Sequence, residues 1–209
     1  MPIVLAGVKI LSYTLSLFLY AFSSNAQNEI LVVGNSNEIC FDTNLNVVYE
    51  DNLDHIFDYR VLLIFSGASS TLKNDDISKI MMFIKNGGGL YLGCDNWPFQ
   101  AESDVILDSF FSFHSWGNFD SEIAHVSEVS EITQLKEITS GISVAVFPVN
   151  SNFKVDVWIE DQPLIMSGDF DNGRLILDGG YSRFYCENMN GSSNLLLIDL
   201  INYLFRRQH

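Results

Sequence analysis

Four stretches of the chain carry unbroken apolar runs that stop at glycine or at a small polar residue. They are Ile30-Leu31-Val32-Val33-Gly34, Val61-Leu62-Leu63-Ile64-Phe65 followed by Ser66-Gly67, Leu90-Tyr91-Leu92-Gly93, and Arg174-Leu175-Ile176-Leu177-Asp178-Gly179-Gly180. Runs without polar alternation suit strands buried on both faces, as in a parallel sheet. Between the second and third runs, Ile77, Ile80, Met81 and Ile84 recur at i, i+3, i+4 and i+7. That spacing predicts a helix with one apolar stripe facing the sheet. Asn74 or Thr71 is placed to cap it, Asp75 and Asp76 suit its positive end, and Gly87 supplies its C-terminal turn. Val61 to Gly93 is thus a βαβ unit, which should cross over right-handed.

The remaining elements follow from weaker patterns. A short strand is expected at Asn46 to Tyr49, and a turn or short helix at Asp51 to Tyr59. Ala101 to Phe113 predicts a helix with a broad apolar face, and Asn194 to Phe205 a closing helix capped by Ser192 or Ser193. Ser115 to Ser127 reads as a loop with a short strand, and Glu131 to Ile142 as a connection with a helical turn. Val144 to Val149, Phe153 to Ile159 and Leu164 to Ser167 read as strands, with Asp171-Asn172-Gly173 as a turn before the last one. The expected architecture is α/β: a three-layer, flavodoxin-like sandwich with a mostly parallel sheet and an antiparallel extension from residues 144 to 170.

The first 26 residues stand apart. They hold one charged residue, Lys9, an apolar run from Ile10 to Phe22, and then Ser23-Ser24-Asn25-Ala26. Small residues at 24 and 26 fit a signal peptidase site with cleavage before Gln27. The expectation is a signal peptide over 1–26, a single α/β domain over 27–209, and export to the periplasm or cell exterior without a membrane span after cleavage. An exported chain with three cysteines, Cys40, Cys94 and Cys186, permits one disulfide and leaves one thiol over.

Charge narrows the partners. The 209 residues include 26 acidic and 11 basic side chains, a formal net charge of −15. Phosphate-backbone recognition needs clustered Lys and Arg, so a nucleic-acid surface is excluded. The Gly87-Gly88-Gly89 run follows a helix instead of preceding one, so it is no phosphate-binding loop. Neither CxxC nor His-x-x-x-His occurs, and no metal or other cofactor is expected.

Cys94 lies at the carboxyl end of a buried parallel strand, the edge at which open α/β sheets place their ligands. It reads either as a nucleophile, with His114 or His125 as its base, or as a structural cysteine. In the structural reading it is a small buried residue or half of a disulfide with Cys186, Cys40 being an alternative partner for either. Ser66, Gly67, Asp95, Asn96, Trp97, Tyr181 and Arg183 fall at the same edge, with Glu102, Asp178 and Glu187 nearby. They compose a candidate pocket for a sugar or another polar ligand with Trp97 as a stacking wall. His55 reads as a surface residue and His209 as part of a tail.

The strand-turn at Tyr59 to Gly67, the turn-strand at Ile84 to Gly93, the late strand at Gly173 to Gly180 and the helix from Asn194 to Leu204 together carry a resemblance. The chain resembles the class I glutamine-amidotransferase-like superfamily, and within it the small exported bacterial domains of unknown function. The resemblance implies a Cys nucleophile on a strand-to-helix elbow, a His and a Glu after the late strand, and backbone N–H groups that hold an oxyanion. Cys94 falls near the elbow. Asp95-Asn96-Trp97-Pro98 follows it where a glycine-containing tight turn would stand, and Tyr181-Ser182-Arg183-Phe184-Tyr185 occupies the place of the His and Glu. The reading is therefore a non-catalytic domain that binds a polar ligand or an envelope protein at the carboxyl edge. A Cys94-dependent amide or ester hydrolase, or a structural part of an envelope assembly, are the alternatives.

Overall fold

Every one of the four apolar runs is a strand of one sheet in the computed structural model, which describes residues 29–41, 45–120 and 123–206. They are β1 (Ile30–Gly34), β3 (Val61–Phe65), β4 (Gly89–Gly93) and β11 (Gly173–Asp178), with the short β2 (Val47–Tyr49) at one edge. The five pair in parallel in the order β2-β1-β3-β4-β11, in a register that sets Ile30 beside Val61, Val61 beside Gly89 and Gly89 beside Arg174. The expected signal segment, residues 1–26, lies outside the described residues, as does His209.

Strand alternation divides the core in two. Leu31, Val33, Leu62, Ile64, Leu90, Leu92, Leu175 and Leu177 point to one face and pack with α1 (Asn74–Lys85) and α2 (Ala101–Phe111) through Ile80, Phe83, Ile84, Ile106 and Leu107. Ile30, Val32, Val61, Leu63, Phe65, Tyr91 and Ile176 point to the other and pack with α3 (Gly191–Phe205) through Leu196, Leu197, Leu200, Ile201 and Leu204. Each strand is apolar throughout because both of its faces are covered. On α1 the buried positions are Ile80, Phe83 and Ile84, and Met81 is only half-buried.

The antiparallel extension is larger than expected and differently composed. Beyond β11 come β10 (Gln162–Phe170), β9 (Lys154–Ile159), β6 (Ile123–Val126) and β7 (Glu137–Thr139), each antiparallel to the one before. The span Ser115 to Ser127, expected as a loop with one short strand, supplies β6 and also β5 (Trp116–Asp120). The strand expected at Val144 to Val149 is β8 (Ser143–Val146), and it leaves the main sheet to pair with β5 in a two-stranded ribbon. That ribbon lies over the end of β11: Ala145 N–H donates to Gly179 O at 2.7 Å and Phe147 N–H to Pro163 O at 2.9 Å. A side chain at Gly179 would overlap the Ala145 carbonyl, so glycine is required for this approach.

Helix ends differ from expectation in their caps. The Asp76 carboxylate accepts the Lys73 N–H at 3.0 Å, so α1 is held from its third residue. Asn190, not Ser192 or Ser193, caps α3, its Oδ1 accepting both of those N–H groups at 2.9 Å. No helix among the described residues is long and apolar enough to cross a membrane.

Candidate functional site

The turns that follow β1, β3, β4 and β11 meet at the carboxyl edge of the parallel strands. Cys94 directly follows β4 and is 0% exposed. Its N–H donates to Asp178 O at 2.8 Å and its carbonyl accepts the Tyr181 N–H at 3.3 Å, tying it into the end of β11. Burial pushes its thiol well above the ordinary range, an effect that hydrogen bonds from Ser115 and Ser103 reduce and the negative charges of Asp104 and Asp178 reinforce. A thiol in that environment is protonated, whereas nucleophilic attack needs the thiolate. Cys94 also lacks an elbow. Among the described residues, the non-glycine positions with left-handed backbone are Ser112, Glu160 and Asp171, and the chain leaves Cys94 through a turn in which Asp95 N–H donates to Phe99 O at 2.9 Å.

The backbone donors in the turn after β3 are engaged within the fold. Ser66 N–H donates to Gly93 O at 2.8 Å. Gly67 N–H donates to Glu102 Oε2 at 2.7 Å, and Thr71 N–H reaches Oε1 of the same carboxylate at 3.3 Å. Glu102 and Ser103 sit in the first turn of α2 and face inward, Ser103 N–H donating to Ser66 Oγ at 3.0 Å. The Ser66 carbonyl accepts the Tyr181 hydroxyl at 2.6 Å, and Asn35 Nδ2 donates to that hydroxyl at 3.1 Å. Ser66, Gly67 and Tyr181 are therefore brought together, but as one self-satisfied knot.

Arg183 is 1% exposed, not a pocket-facing cation. Its Nη1 reaches both oxygens of buried Asp178, at 2.8 and 2.6 Å, and its Nε donates to the Thr139 and Ser140 carbonyls at 3.0 Å. Tyr91 completes the cluster, its hydroxyl donating to Asp178 Oδ2 at 2.9 Å. The residues after the late strand thus form a buried ion pair. Asp95, also buried, accepts the Ser182 N–H on Oδ2 and the Asn96 N–H on Oδ1, both at 2.8 Å. Burial raises its carboxyl to about 6, against hydrogen bonds from Asn96 and Ser182 and the charge of Arg183 that favour ionisation.

The disulfide joins Cys40 to Cys186, 146 residues apart, and Cys94 is the free cysteine, which corrects the expected Cys94–Cys186 pairing. Cys186 does reach the carboxyl edge, but it faces the segment after β1. Cys40 N–H donates to Phe184 O at 3.0 Å and Cys186 N–H to Glu38 O at 2.8 Å, a two-bond bridge that sets the two Cα atoms 4.9 Å apart. Cys94 points instead into the core beneath α2.

The two histidines are exposed and turn elsewhere. His125 is on β6, opposite Trp158, with Nδ1 3.5 Å from Glu137. His114 lies after α2, with Nε2 4.0 Å from Asp108. Next to Cys94 the edge presents aromatic rings to solvent. Trp97 is 70% and Trp116 49% exposed. Trp97 N–H donates to Asn118 Oδ1 at 2.8 Å, and a bulge in β5 between Trp116 and Phe119 sets the Trp116 ring 5.8 Å from that of Phe119. Asn96 Nδ2 donates to the Trp97 carbonyl at 3.2 Å, and Glu187 is exposed. Trp116 and Asn118 were hidden to sequence reasoning inside the span read as a loop with a short strand, because the bulge between Trp116 and Phe119 breaks the period-two pattern there. No cluster of three or more His, Cys, Asp or Glu side chains suited to a metal ion occurs among the described residues.

Neither a family model nor a curated protein matches the chain. Solved structures of similar fold exist. Cytoplasmic Protein STM1381 from Salmonella typhimurium LT2 superposes with a TM-score of 0.60 at 15% identity, over 84% of this chain and 99% of its own. A putative ThuA-like protein from Bacteroides uniformis gives 0.57 at 12% identity, over 85% of this chain and 91% of its own. The β-galactosidase from Rahnella sp. R3 gives 0.60 at 8% identity, over 94% of this chain but 34% of the enzyme. At such identities the likeness is one of fold.

Proposed function

We propose that the protein is an exported, non-catalytic binding domain of the class I amidotransferase-like superfamily, built as a three-layer flavodoxin-like sandwich. The β2-β1-β3-β4-β11 order, the division of the core between α1/α2 and α3, and the likeness to the ThuA-like structure support the fold part of this reading. One observation carries the functional part. The Gly67 N–H, in the turn after β3 where the resembled superfamily places an oxyanion donor, is donated to the buried Glu102 carboxylate. A negative charge there repels the developing oxyanion that catalysis must stabilise.

The ligand is a polar molecule with apolar faces, for which a sugar is the fitting class. An exposed indole stacks on the C–H face of a pyranose, and the Asn96 and Asn118 side chains beside Trp97 offer hydrogen bonds to hydroxyls. Export is supported by the Cys40–Cys186 disulfide, since such bonds persist in oxidising compartments. The similar proteins named cytoplasmic share 11% and 15% identity with this chain, a likeness that carries fold alone.

Intrinsic tryptophan fluorescence tests the ligand. Titration with a panel of cello-, chito- and malto-oligosaccharides should give saturable quenching by at least one, lost in Trp97→Ala. Absence of any response at millimolar sugar would remove the sugar reading.

A further inference from the structure

The parallel sheet has a second edge, and a cleft opens there as well. Between the C-terminal turns of α1 and α3, beside the amino ends of β3 and β4, lies a space of about 670 Å³. The cleft at the carboxyl ends of β1 and β2, lined by Gly34, Glu50 and Asp51, is about 350 Å³.

What distinguishes the amino-edge cleft is its charge. The chain carries 26 acidic and 11 basic residues, so an arginine without a carboxylate partner is unexpected. Arg174 lies 3.8 Å from Asp169, and Arg183 is paired with Asp178. The two other arginines among the described residues, Arg60 and Arg206, have no carboxylate within 4.0 Å among those residues, and both line this cleft.

Arg60 is held in place by neutral groups, and Arg206 by the backbone of Glu131, whose nearby carboxylate is paired with Lys154. Arg60 donates Nη2 to the Phe205 carbonyl at 3.1 Å and stacks over the Phe205 ring, 4.8 Å from its centroid. Arg206 donates Nη1 to the Glu131 carbonyl at 3.2 Å and lies 5.8 Å from the Tyr203 centroid. The remaining guanidinium donors have no protein acceptor within hydrogen-bonding reach among the described residues. Asn86 and Asn172 add amides to the wall, and Phe57 and Phe205 add rings, Phe57 being 51% exposed.

Two helix C-termini oppose an anion here, and their weight can be judged. Each contributes about half a negative charge. The last carbonyls of α1 are already capped: Met82 O by Asn86 N–H at 3.0 Å, Phe83 O by Gly88 N–H at 3.0 Å, and Lys85 O by Asn172 Nδ2 at 2.8 Å. Two whole guanidinium charges exceed two capped half-charges, so the cleft is left positive in a strongly negative molecule.

We propose that this amino-edge cleft binds a small organic anion, a carboxylate or phosphate group on an aromatic or aliphatic body. Arg60 and Arg206 take the anionic group, for which the planar fork of arginine is suited. Phe57 and Phe205 cover the apolar body. The site is separate from the carboxyl-edge aromatic surface and does not depend on it.

Calorimetric titration of the purified chain with phenyl phosphate, phenylacetate, inorganic phosphate and neutral benzyl alcohol tests this. Phenyl phosphate or phenylacetate should bind with a dissociation constant of about 1 mM or tighter, and the stronger of the two identifies the head group. Arg60→Gln and Arg206→Gln should each weaken it about tenfold or more, and rising salt should weaken it further. Trp97→Ala should leave it unchanged. Arg206→Gln, whose side chain makes a single backbone hydrogen bond, keeps the test open if Arg60→Gln fails to fold. Binding of neither organic anion, equal binding of benzyl alcohol, inorganic phosphate binding as tightly as phenyl phosphate, or indifference to both arginine variants would each overturn the proposal.

Discussion

Arg183 reaches both carboxylate oxygens of Asp178 from a position five residues further on, and neither side chain is accessible to solvent. The 3₁₀ turn from Tyr181 to Phe184 folds back on the end of β11 to make this possible. The pair is a structural knot at the point where the resembled enzymes would place catalytic groups.

Removing one partner should be costly. Arg183→Met leaves the Asp178 charge buried without its counter-ion, and loss of about 3–5 kcal/mol is expected. Urea unfolding followed by circular dichroism reads this directly. A loss below about 1 kcal/mol would mean that the pair is solvated in solution.

Asp95 should make stability depend on mildly acidic pH. Burial holds its carboxyl up at about 6 in the folded protein, against about 3.9 unfolded. The folded state holds the proton more tightly, so the contribution of Asp95 to stability is greatest below pH 4, falls between pH 4 and 6, and levels off above. The size is on the order of 3 kcal/mol. Burial also raises Asp156, which adds a slope of the same sign. Asp95→Asn should therefore reduce the slope without abolishing it. An unchanged pH profile of the unfolding midpoint in that variant would assign the slope elsewhere.

The Cys40–Cys186 bond closes a loop of 146 residues. Cross-links over loops of this length restrict the unfolded chain most, and a loss of about 2–5 kcal/mol is expected in the Cys40→Ser/Cys186→Ser double variant. A non-reducing peptide map should recover the two cysteines in one linked pair. A linked Cys94 peptide would refute this connectivity.

Native Cys94 should resist alkylation. Iodoacetamide at pH 6 to 8 should leave it unlabelled for as long as the fold holds, and label it once urea unfolds the chain. The reason is double: the thiol is sealed beneath α2, and burial keeps it protonated. Fast labelling at pH 6 would instead identify an activated thiolate and reopen the hydrolase reading.

Some of this architecture is written along the chain. Four apolar runs, a 3.6-residue stripe between two of them, and glycines at their ends determine a parallel α/β sheet, because periodicity and burial are properties of neighbouring residues. Val61 to Gly93 was legible as strand, helix and strand for that reason. The β5/β6 region was not, since Trp116 to Val126 mixes glycine, asparagine and aspartate with its apolar positions, and its strands are stabilised by β8 and β9 from later in the chain. Tertiary structure alone decided which cysteines meet, that Arg183 turns inward, that Glu102 occupies the Gly67 N–H, and that Arg60 and Arg206 share a cleft. Apart from the Arg183–Asp178 contact, these pairings join residues 35 to 146 positions apart in the chain. Such contacts are set by strand order and by which loop lands on which edge, and no local pattern of hydrophobicity encodes either.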